Sequence, residues 1–318
     1  MIIDVHGHVT APELLAKYPM PPSLGDIDGM IERKLEAGVG LTVVGSPVGF
    51  GTMTRIPGLD NYAQPADKLA AFHDWMGETV RAHAGHLLAY AYVNPFGTDA
   101  ELATAAELVH RPEFVGFIVN TSVRGRFLDD PGADRFFELA REALVPIMLH
   151  PPAEPVGAGA LTNFGLVEQL GRFTDVHLSL ATMIMGGRLE RDPGLRLIAA
   201  TGGGALALLA DRLDLAHSPR HWKGTGKPAL PRTPSSYFSQ IWVDTASNSS
   251  HALRANISVF GADHVLFGTD TPPLPHEVAD LVAAVTELNL STQDTHDILT
   301  GNAVRLLNLS EEQTRAVA

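Results

Sequence analysis

Short runs of apolar residues alternate with longer stretches in which apolar positions recur every three or four residues. The short runs are typical of buried strands, and the longer stretches are typical of amphipathic helices. Such alternation along the whole chain favours a parallel sheet covered by helices. The pattern predicts eight strands, at Ile2–His6, Leu41–Gly45, Leu87–Val93, Phe114–Val119, Val145–His150, Leu195–Thr201, Ile241–Asp244 and Val265–Asp270. We therefore predict an α/β fold in which residues 1–318 form a single (β/α)8 barrel.

The helical stretches and loops between these strands are also predicted from the pattern. The stretch Ala133–Ala143 places Phe136 and Phe137 near one face of a helix. A last helix from His296 to Leu307 is expected to pack against the barrel and close it. The stretch Pro219–Ser239 is rich in proline, glycine and basic residues, which predicts a long loop and not a link between domains.

Composition narrows the class of partner and the kind of site. The chain is 45% hydrophobic and 19% charged, which is typical of a globular protein, and no apolar run approaches membrane-spanning length. A net charge of −13 argues against nucleic acid or an anionic membrane surface as partner. Because the chain has no cysteine, any metal must be held by His, Asp or Glu. The N-terminus lacks the basic start of a secretory signal, which predicts a cytoplasmic location.

His6 and His8 are the first candidate site residues, two positions apart at the end of the first predicted strand. Residues two apart on a strand point to the same side, so both imidazoles could reach one ion in the barrel lumen. Imidazole suits zinc, manganese and iron. The alternative is a chance pair, since the chain has 14 histidines. The position at a strand end favours a metal site.

His150 and Asp270 end two further predicted strands. Asp270 ends the last strand, which lies beside the first strand when a barrel closes. The alternatives are a hydrogen-bonded strand-end histidine and a turn or helix-capping aspartate. Three histidines and one aspartate would leave a coordination position for water or substrate. We predict a divalent metal, zinc in the first place with manganese as the alternative.

Three glycines, Gly202–Gly204, follow the sixth predicted strand. Glycine allows the backbone to approach a ligand or a neighbouring element closely. A phosphate cradle is the alternative, but neither a GxGxxG sequence nor a P-loop is present, so phosphate binding is disfavoured.

These features, together with other short motifs in order along the chain, resemble the amidohydrolase superfamily and its aminocarboxymuconate-semialdehyde decarboxylase-like branch. The other motifs are Met183–Gly187, Leu189–Pro193, Gly202–Ala205, Asp211–Arg212, Phe267–Asp270 and Gly301–Leu307. The resemblance implies an ion held by His6, His8, His150 and Asp270. Enzymes of this branch remove carboxylate groups from aromatic or muconate-like acids without an organic cofactor. The branch also contains oxalomesaconate hydratase, which Ile3–Thr10 resembles, although the hydratase usually has Glu in place of Asp270.

The sequence departs from the family pattern at Thr201, where the family has a histidine that activates metal-bound water or polarises the substrate. A threonine hydroxyl cannot act as a base near neutral pH. Either another group serves as base, or the reaction needs none, or the protein is catalytically silent. Candidate replacement bases are His217, His221 and His251.

Arg220 lies where related decarboxylases carry an arginine that binds the substrate carboxylate, often across a subunit boundary. The resemblance therefore implies a homodimer or a higher homo-oligomer. A solvated loop arginine is the alternative. A second family arginine, in the helix before strand two, is absent, and Met30 falls near its place. We therefore expect a substrate with fewer carboxylates.

The sequence as a whole predicts a metal-dependent lyase, most specifically a decarboxylase of a small aromatic or unsaturated carboxylic acid. Asp270, Thr201 and Arg220 are the predicted catalytic residues, and the resemblance supplies the choice of reaction. The alternatives are hydrolysis of a lactone or amide, hydration, and a barrel that binds a ligand without turnover.

Overall fold

A computed structural model describes residues 1–46, 58, 60, 62, 65–217 and 230–314. Eight parallel strands follow one another around a barrel in chain order. They are β1 (Ile2–His8), β2 (Val39–Gly45), β3 (Leu87–Tyr92), β4 (Phe114–Asn120), β5 (Ile147–His150), β6 (Leu197–Ala199), β7 (Ile241–Asp244) and β8 (Val265–Leu266). The predicted eight-stranded α/β barrel is confirmed.

Backbone hydrogen bonds between the first strand and the segment after β8 close the barrel. The Val5 N–H donates to the Phe267 carbonyl at 2.9 Å, and the Asp270 N–H donates to the His6 carbonyl at 2.8 Å. Closure brings the end of the chain's last strand beside the end of its first strand. Residues that are more than 260 positions apart in sequence therefore become neighbours.

Two strands end at least two residues earlier than their sequence pattern predicts, β6 at Ala199 and β8 at Leu266. Thr201 lies in a 3-10 turn at Thr201–Gly203 with a φ of 54°, and Asp270 has the same φ. A residue in this left-handed region cannot continue an extended ladder. The predicted ends of the sixth and eighth strands were therefore wrong, whereas β1 extends two residues further than predicted, to His8.

The helices of the described residues surround the barrel. They are α1 (Pro12–Lys17), α2 (Ile27–Glu36), α3 (Ala66–Ala82), α4 (Asp99–Leu108), α5 (Asp134–Ala143), α6 (Arg172–Met185), α7 (Arg188–Arg191), α8 (Ala210–His217), α9 (Ser250–Phe260), α10 (Val278–Thr286), α11 (Thr292–His296), α12 (Asn302–Leu306) and α13 (Glu311–Thr314). Every helix within these ranges is too short or too polar to cross a membrane.

Alternate residues of the strands form two apolar layers. One layer fills the lumen and contains Val5, Ile118 and Met148. The other lies between the barrel and the helices, where Phe117 packs against Phe136 of α5 with ring centroids 5.7 Å apart. The predicted buried face of α5 is confirmed. Burial on both faces explains why the strands appear in the sequence as nearly continuous apolar runs.

Two other sequence predictions need correction. The described part of the predicted loop Pro219–Ser239 contains a 3-10 helix, Pro234–Gln240, because Tyr237 and Phe238 are buried and fix this segment against the core. The predicted last helix is interrupted by one π-helical turn, Asp297–Gly301, between α11 and α12. Residues 218–229 lie outside the described residues.

Candidate metal centre

Four side chains converge at the carboxyl end of the barrel. His6, His8, His150 and Asp270 each offer one ligand atom, and these atoms all lie within 4.8 Å of one another. The Nε2 atoms of His6 and His8 are 3.1 Å apart, and Asp270 Oδ1 lies 3.0 Å from the Nε2 of His8. The three imidazole rings are nearly perpendicular to one another, with interplanar angles of 84°, 85° and 89°. The structure thus brings together the four residues that the sequence predicted as ligands.

A bulge in β1 helps to direct both of its histidines inward. Asp4 pairs with Thr42 and Gly7 pairs with Val44, so three steps along β1 match two along β2. The extra residue rotates the strand, which allows both Val5 and His6 to face the lumen. A Cβ on Gly7 would lie 2.6 Å from Thr42 Cγ2, so glycine is required at this position.

The Nδ1 atom of each histidine contacts an oxygen acceptor. The acceptors are Asp244 Oδ2 at 2.6 Å for His6, the Gly45 carbonyl at 2.8 Å for His8 and the Pro151 carbonyl at 2.9 Å for His150. Because carbonyl and carboxylate oxygens accept hydrogen bonds, Nδ1 carries the hydrogen in each ring. The Nε2 lone pairs are then left facing one another. Three facing lone pairs beside a carboxylate form a donor set that fits a divalent cation.

The charges around the centre also favour a cation. Burial lowers the pKa of His6, but the nearby carboxylates of Asp270, Asp244 and Asp4 outweigh this effect, and the pKa is raised. Burial raises the pKa of Asp270, but the three histidines outweigh it and hold the pKa below its usual value. Burial, with the neighbouring histidines, lowers the pKa of His150 well below its usual value. Asp270 is therefore ionised and His150 is neutral, as metal ligands must be.

Asp270 marks the accessible side of the centre. Its side chain is 16% exposed, whereas those of His6 and His8 are 1% exposed. An ion held by the four residues would thus be reached by a small molecule from the side of Asp270.

Asp244 is a supporting residue that the sequence reasoning missed. Besides His6, its carboxylate accepts hydrogen bonds from the backbone N–H groups of Gly202, at 2.7 Å, and Ala246, at 3.1 Å. The side chain is fully buried. A carboxylate at the end of a predicted strand is a signal that could have identified it, because strand ends of a barrel line its mouth.

Thr201 follows β6 and is buried, and its hydroxyl donates to the Ala200 carbonyl at 2.7 Å. The glycines after it allow close approach between elements. A Cβ on Gly204 would lie 2.4 Å from the Phe173 carbonyl, and one on Gly203 would lie 3.0 Å from Val243 Cγ1. Packing against neighbouring elements therefore accounts for these glycines.

The remaining candidates are not among the four clustered residues or lie outside the described residues. Arg220 and His221 fall in residues 218–229 and are not described. His217 ends α8, and His251 is exposed near the start of α9. Asn120, which the sequence reasoning did not identify, ends β4 in register with His150. Its buried amide has no hydrogen-bond partner among the described residues.

Residues 3–309 match the amidohydrolase family, and the chain belongs to it. The sequence is 25% identical, over 273 residues, to the 2-amino-3-carboxymuconate-6-semialdehyde decarboxylase of Dictyostelium discoideum. That match covers 82% of this chain and 73% of the relative. The resemblance drawn from the motifs is confirmed.

Solved structures of decarboxylases share the fold. The 5-carboxyvanillate decarboxylase of Sphingomonas paucimobilis superposes with a TM-score of 0.81 at 19% identity, over 97% of this chain and 99% of that one. A dihydroxybenzoic acid decarboxylase from a Polaromonas species, whose structure contains manganese and 2-nitroresorcinol, superposes with a TM-score of 0.77 at 20% identity. That match covers 98% of each chain.

Proposed function

We propose that this protein is a divalent-metal-dependent decarboxylase of a small aromatic or unsaturated carboxylic acid. The observation that carries the proposal is the convergence of three Nε2 atoms and one carboxylate oxygen, open on the Asp270 side. The decarboxylases among its relatives support the choice of reaction over hydrolysis or hydration. His6, His8, His150 and Asp270 would hold the ion.

The ion would bind oxygens of the substrate and stabilise negative charge that develops on the carbon skeleton when the carboxyl group leaves. Asp244 and the two carbonyl acceptors keep the imidazoles oriented, so little reorganisation is needed during the reaction. Asp270 is ionised and accessible, and it would accept or deliver the proton that replaces the carboxyl group. The donor set accepts both zinc and manganese. Zinc stays our first prediction, and the manganese of the Polaromonas enzyme supports the alternative.

Thr201 and Arg220 complete the proposal. Because the Thr201 hydroxyl donates to the Ala200 carbonyl, its oxygen is available as an acceptor for a water or a substrate group. Arg220 is proposed to bind the substrate carboxylate as a guanidinium fork. Assembly into a homodimer or higher homo-oligomer is part of the same prediction.

The test combines metal analysis with a substrate screen. Chelated protein is reconstituted with zinc or manganese and incubated with aromatic and unsaturated carboxylic acids while carbon dioxide release is measured. We expect one divalent ion per chain and metal-dependent release for at least one acid. Changing His6 and His8 together to Ala should abolish metal binding, whereas changing the exposed His110 to Ala should leave it unaltered. Protein that takes up no metal, or that takes it up and opens lactones or amides instead, would overturn the proposal.

A further inference from the structure

The side chain of Asn120, the last residue of β4, points into the lumen beside the metal centre. Strand residues alternate between two faces, and Ile118, two positions earlier, belongs to the lumen layer. In the same way His150 lies two positions beyond Met148 of that layer. Asn120 and His150 are partners in the parallel register of β4 and β5, one strand spacing apart. The carboxamide of Asn120 and a candidate metal ligand are therefore neighbours on one face.

Both polar atoms of this carboxamide are buried without a partner. Asn120 is fully buried, and neither its Nδ2 nor its Oδ1 has a hydrogen-bond partner within the described part of the chain. Among the residues that the structure describes, it alone has two such side-chain atoms. Folded proteins pair the large majority of their buried polar atoms, because an unpaired donor or acceptor keeps the full cost of its desolvation. Two unpaired atoms beside a metal centre therefore point to a ligand that pairs with them.

The segment after Asn120 fixes the backbone at this position. The Thr121 N–H donates to the His150 carbonyl at 3.0 Å. The Thr121 hydroxyl and the Ser122 hydroxyl, the latter at 2.9 Å, both donate to the carboxylate of Asp175 on α6. These three side chains are fully buried. Asn120 is thus held in place before a ligand binds, so that little binding energy is lost in ordering it.

We propose that Asn120 is a specificity-determining residue, whose carboxamide binds a substituent of the substrate that both donates and accepts a hydrogen bond. The Nδ2 group needs an acceptor, and the Oδ1 atom needs a donor. A carboxylate would satisfy only the first and an ammonium group only the second, whereas a hydroxyl group satisfies both. This inference rests on the proposed function and adds that the acid carries a hydroxyl group on the side of His150.

A purely structural role for Asn120 makes different predictions, and Asn302 provides the comparison. Asn302 is also buried, but its amide donates to the carbonyls of Ala262, at 2.8 Å, and Val265, at 2.7 Å. Asn302→Leu removes these bonds, so the denaturant midpoint of the ligand-free protein should fall. Asn120→Leu removes two unpaired polar atoms with little change in shape, so its midpoint should stay equal or rise. The same substitution at the two positions therefore separates a structural amide from a ligand-binding one.

The experiment measures, by calorimetry of the metal-loaded protein, the affinities for 2-, 3- and 4-hydroxybenzoate and for the methylbenzoate of each position. Hydroxyl and methyl groups are similar in size, so each pair of ligands isolates the hydrogen bonds. We expect the wild type to bind at least one hydroxy acid about tenfold or more tightly than its methyl partner, since two hydrogen bonds contribute that much.

Asn120→Leu should remove this preference, with metal content unchanged and methylbenzoate affinity equal or higher. Asn120→Ala, which introduces no new group into the core, is the second variant and should do the same. Asn302→Leu should keep the preference. A hydroxyl group bound by the ion instead of by the carboxamide would give a preference that survives in both Asn120 variants.

Four results would overturn the inference: no hydroxyl preference in the wild type, a preference that survives in a folded Asn120 variant, metal loss in such a variant, or a midpoint that falls in Asn120→Leu as far as in Asn302→Leu. Its failure is distinguishable from failure of the proposed function. A hydroxyl preference that depends on Asn120, in a protein that decarboxylates no acid, would support this inference and refute the decarboxylase. Decarboxylation without that preference would do the reverse.

Discussion

Thr201 shows how one residue can support the centre through its backbone. Its φ of 54° is unfavourable for a β-branched side chain, and such strain persists where the surrounding structure imposes it. The turn that it starts directs the Gly202 N–H at Asp244, which in turn holds the Nδ1 of His6. The position that carries a histidine in the family thus contributes here through main-chain geometry.

Removing the Thr201 hydroxyl should therefore have a small effect. Thr201→Val keeps the shape and the β-branching, and we expect a loss of about 1 kcal/mol, or roughly fivefold in kcat/KM. Asp270→Asn should be far more damaging, because it weakens the ligand set and removes the proposed proton carrier. Turnover and metal content of both variants check the ranking.

Equal losses in those two variants would place the Thr201 hydroxyl in the reaction itself. Turnover that appears only in Thr201→His, where the native protein has none, would support the silent-barrel alternative and refute the decarboxylase proposal. If His217, His221 or His251 replaces the missing base, its Ala variant should be as damaging as Asp270→Asn.

At the scale of elements, one buried carboxylate connects α2, β1 and the segment after β8. Asp4 accepts from the His6 N–H at 2.9 Å and from the Thr269 N–H at 3.0 Å. It also accepts from the Lys34 ammonium group, and the Lys34 side chain is 2% exposed. The desolvation cost of burying two charges offsets much of their attraction, but removing one partner leaves the other uncompensated.

We expect Lys34→Met to lower the free energy of unfolding by about 3–5 kcal/mol, because the Asp4 charge loses its buried counter-ion. Denaturant unfolding measures the effect. The double variant Lys34→Met/Asp4→Asn should recover part of the loss, since it removes the uncompensated charge. Lys68→Met changes an exposed lysine of α3 and should stay within about 0.5 kcal/mol of the wild type. A similarly small loss in Lys34→Met would contradict the role given to this pair.

At the scale of the whole molecule, a histidine remote from the metal centre links stability to pH. His73 of α3 is buried beside Phe72 and Phe114, and its Nε2 has no partner among the described residues. Burial lowers its pKa from 6.5 to about 4. Between these values the unfolded chain binds a proton that the folded chain does not. Stability is therefore lost as the pH falls from 6.5 towards 4.

Because of His73, the free energy of unfolding should fall by about 2 kcal/mol when the pH is lowered from 7 to 5. We expect His73→Leu to lose correspondingly less free energy of unfolding than the wild type over that interval, whatever its stability at pH 7. Denaturant unfolding of both proteins at the two pH values gives the comparison, in which groups common to both cancel. If the free energy of unfolding fell equally in the wild type and in His73→Leu, the loss of stability at low pH would not come from His73.

The order and number of the strands could be predicted from the sequence because barrel strands are buried on both faces, which leaves short apolar runs between helical periods. The pairing of His6 with His8 could be predicted because it depends on the local alternation of one strand. Strand ends were less predictable. At Thr201 and Asp270 the backbone enters the left-handed region, which is unfavourable for a β-branched threonine and only occasionally adopted by an aspartate.

The sequence by itself determined the fold class and the residues available for a metal site, because both depend on local periodicity and residue chemistry. Only the tertiary structure brought His150 and Asp270 to the paired histidines, since that proximity requires a closed barrel. The same holds for Asp244 beside His6 and for the pair of Lys34 with Asp4. These contacts join segments that are far apart in the sequence. The pattern of apolar and polar residues reports only on neighbours within one strand or helix, so it could not predict them.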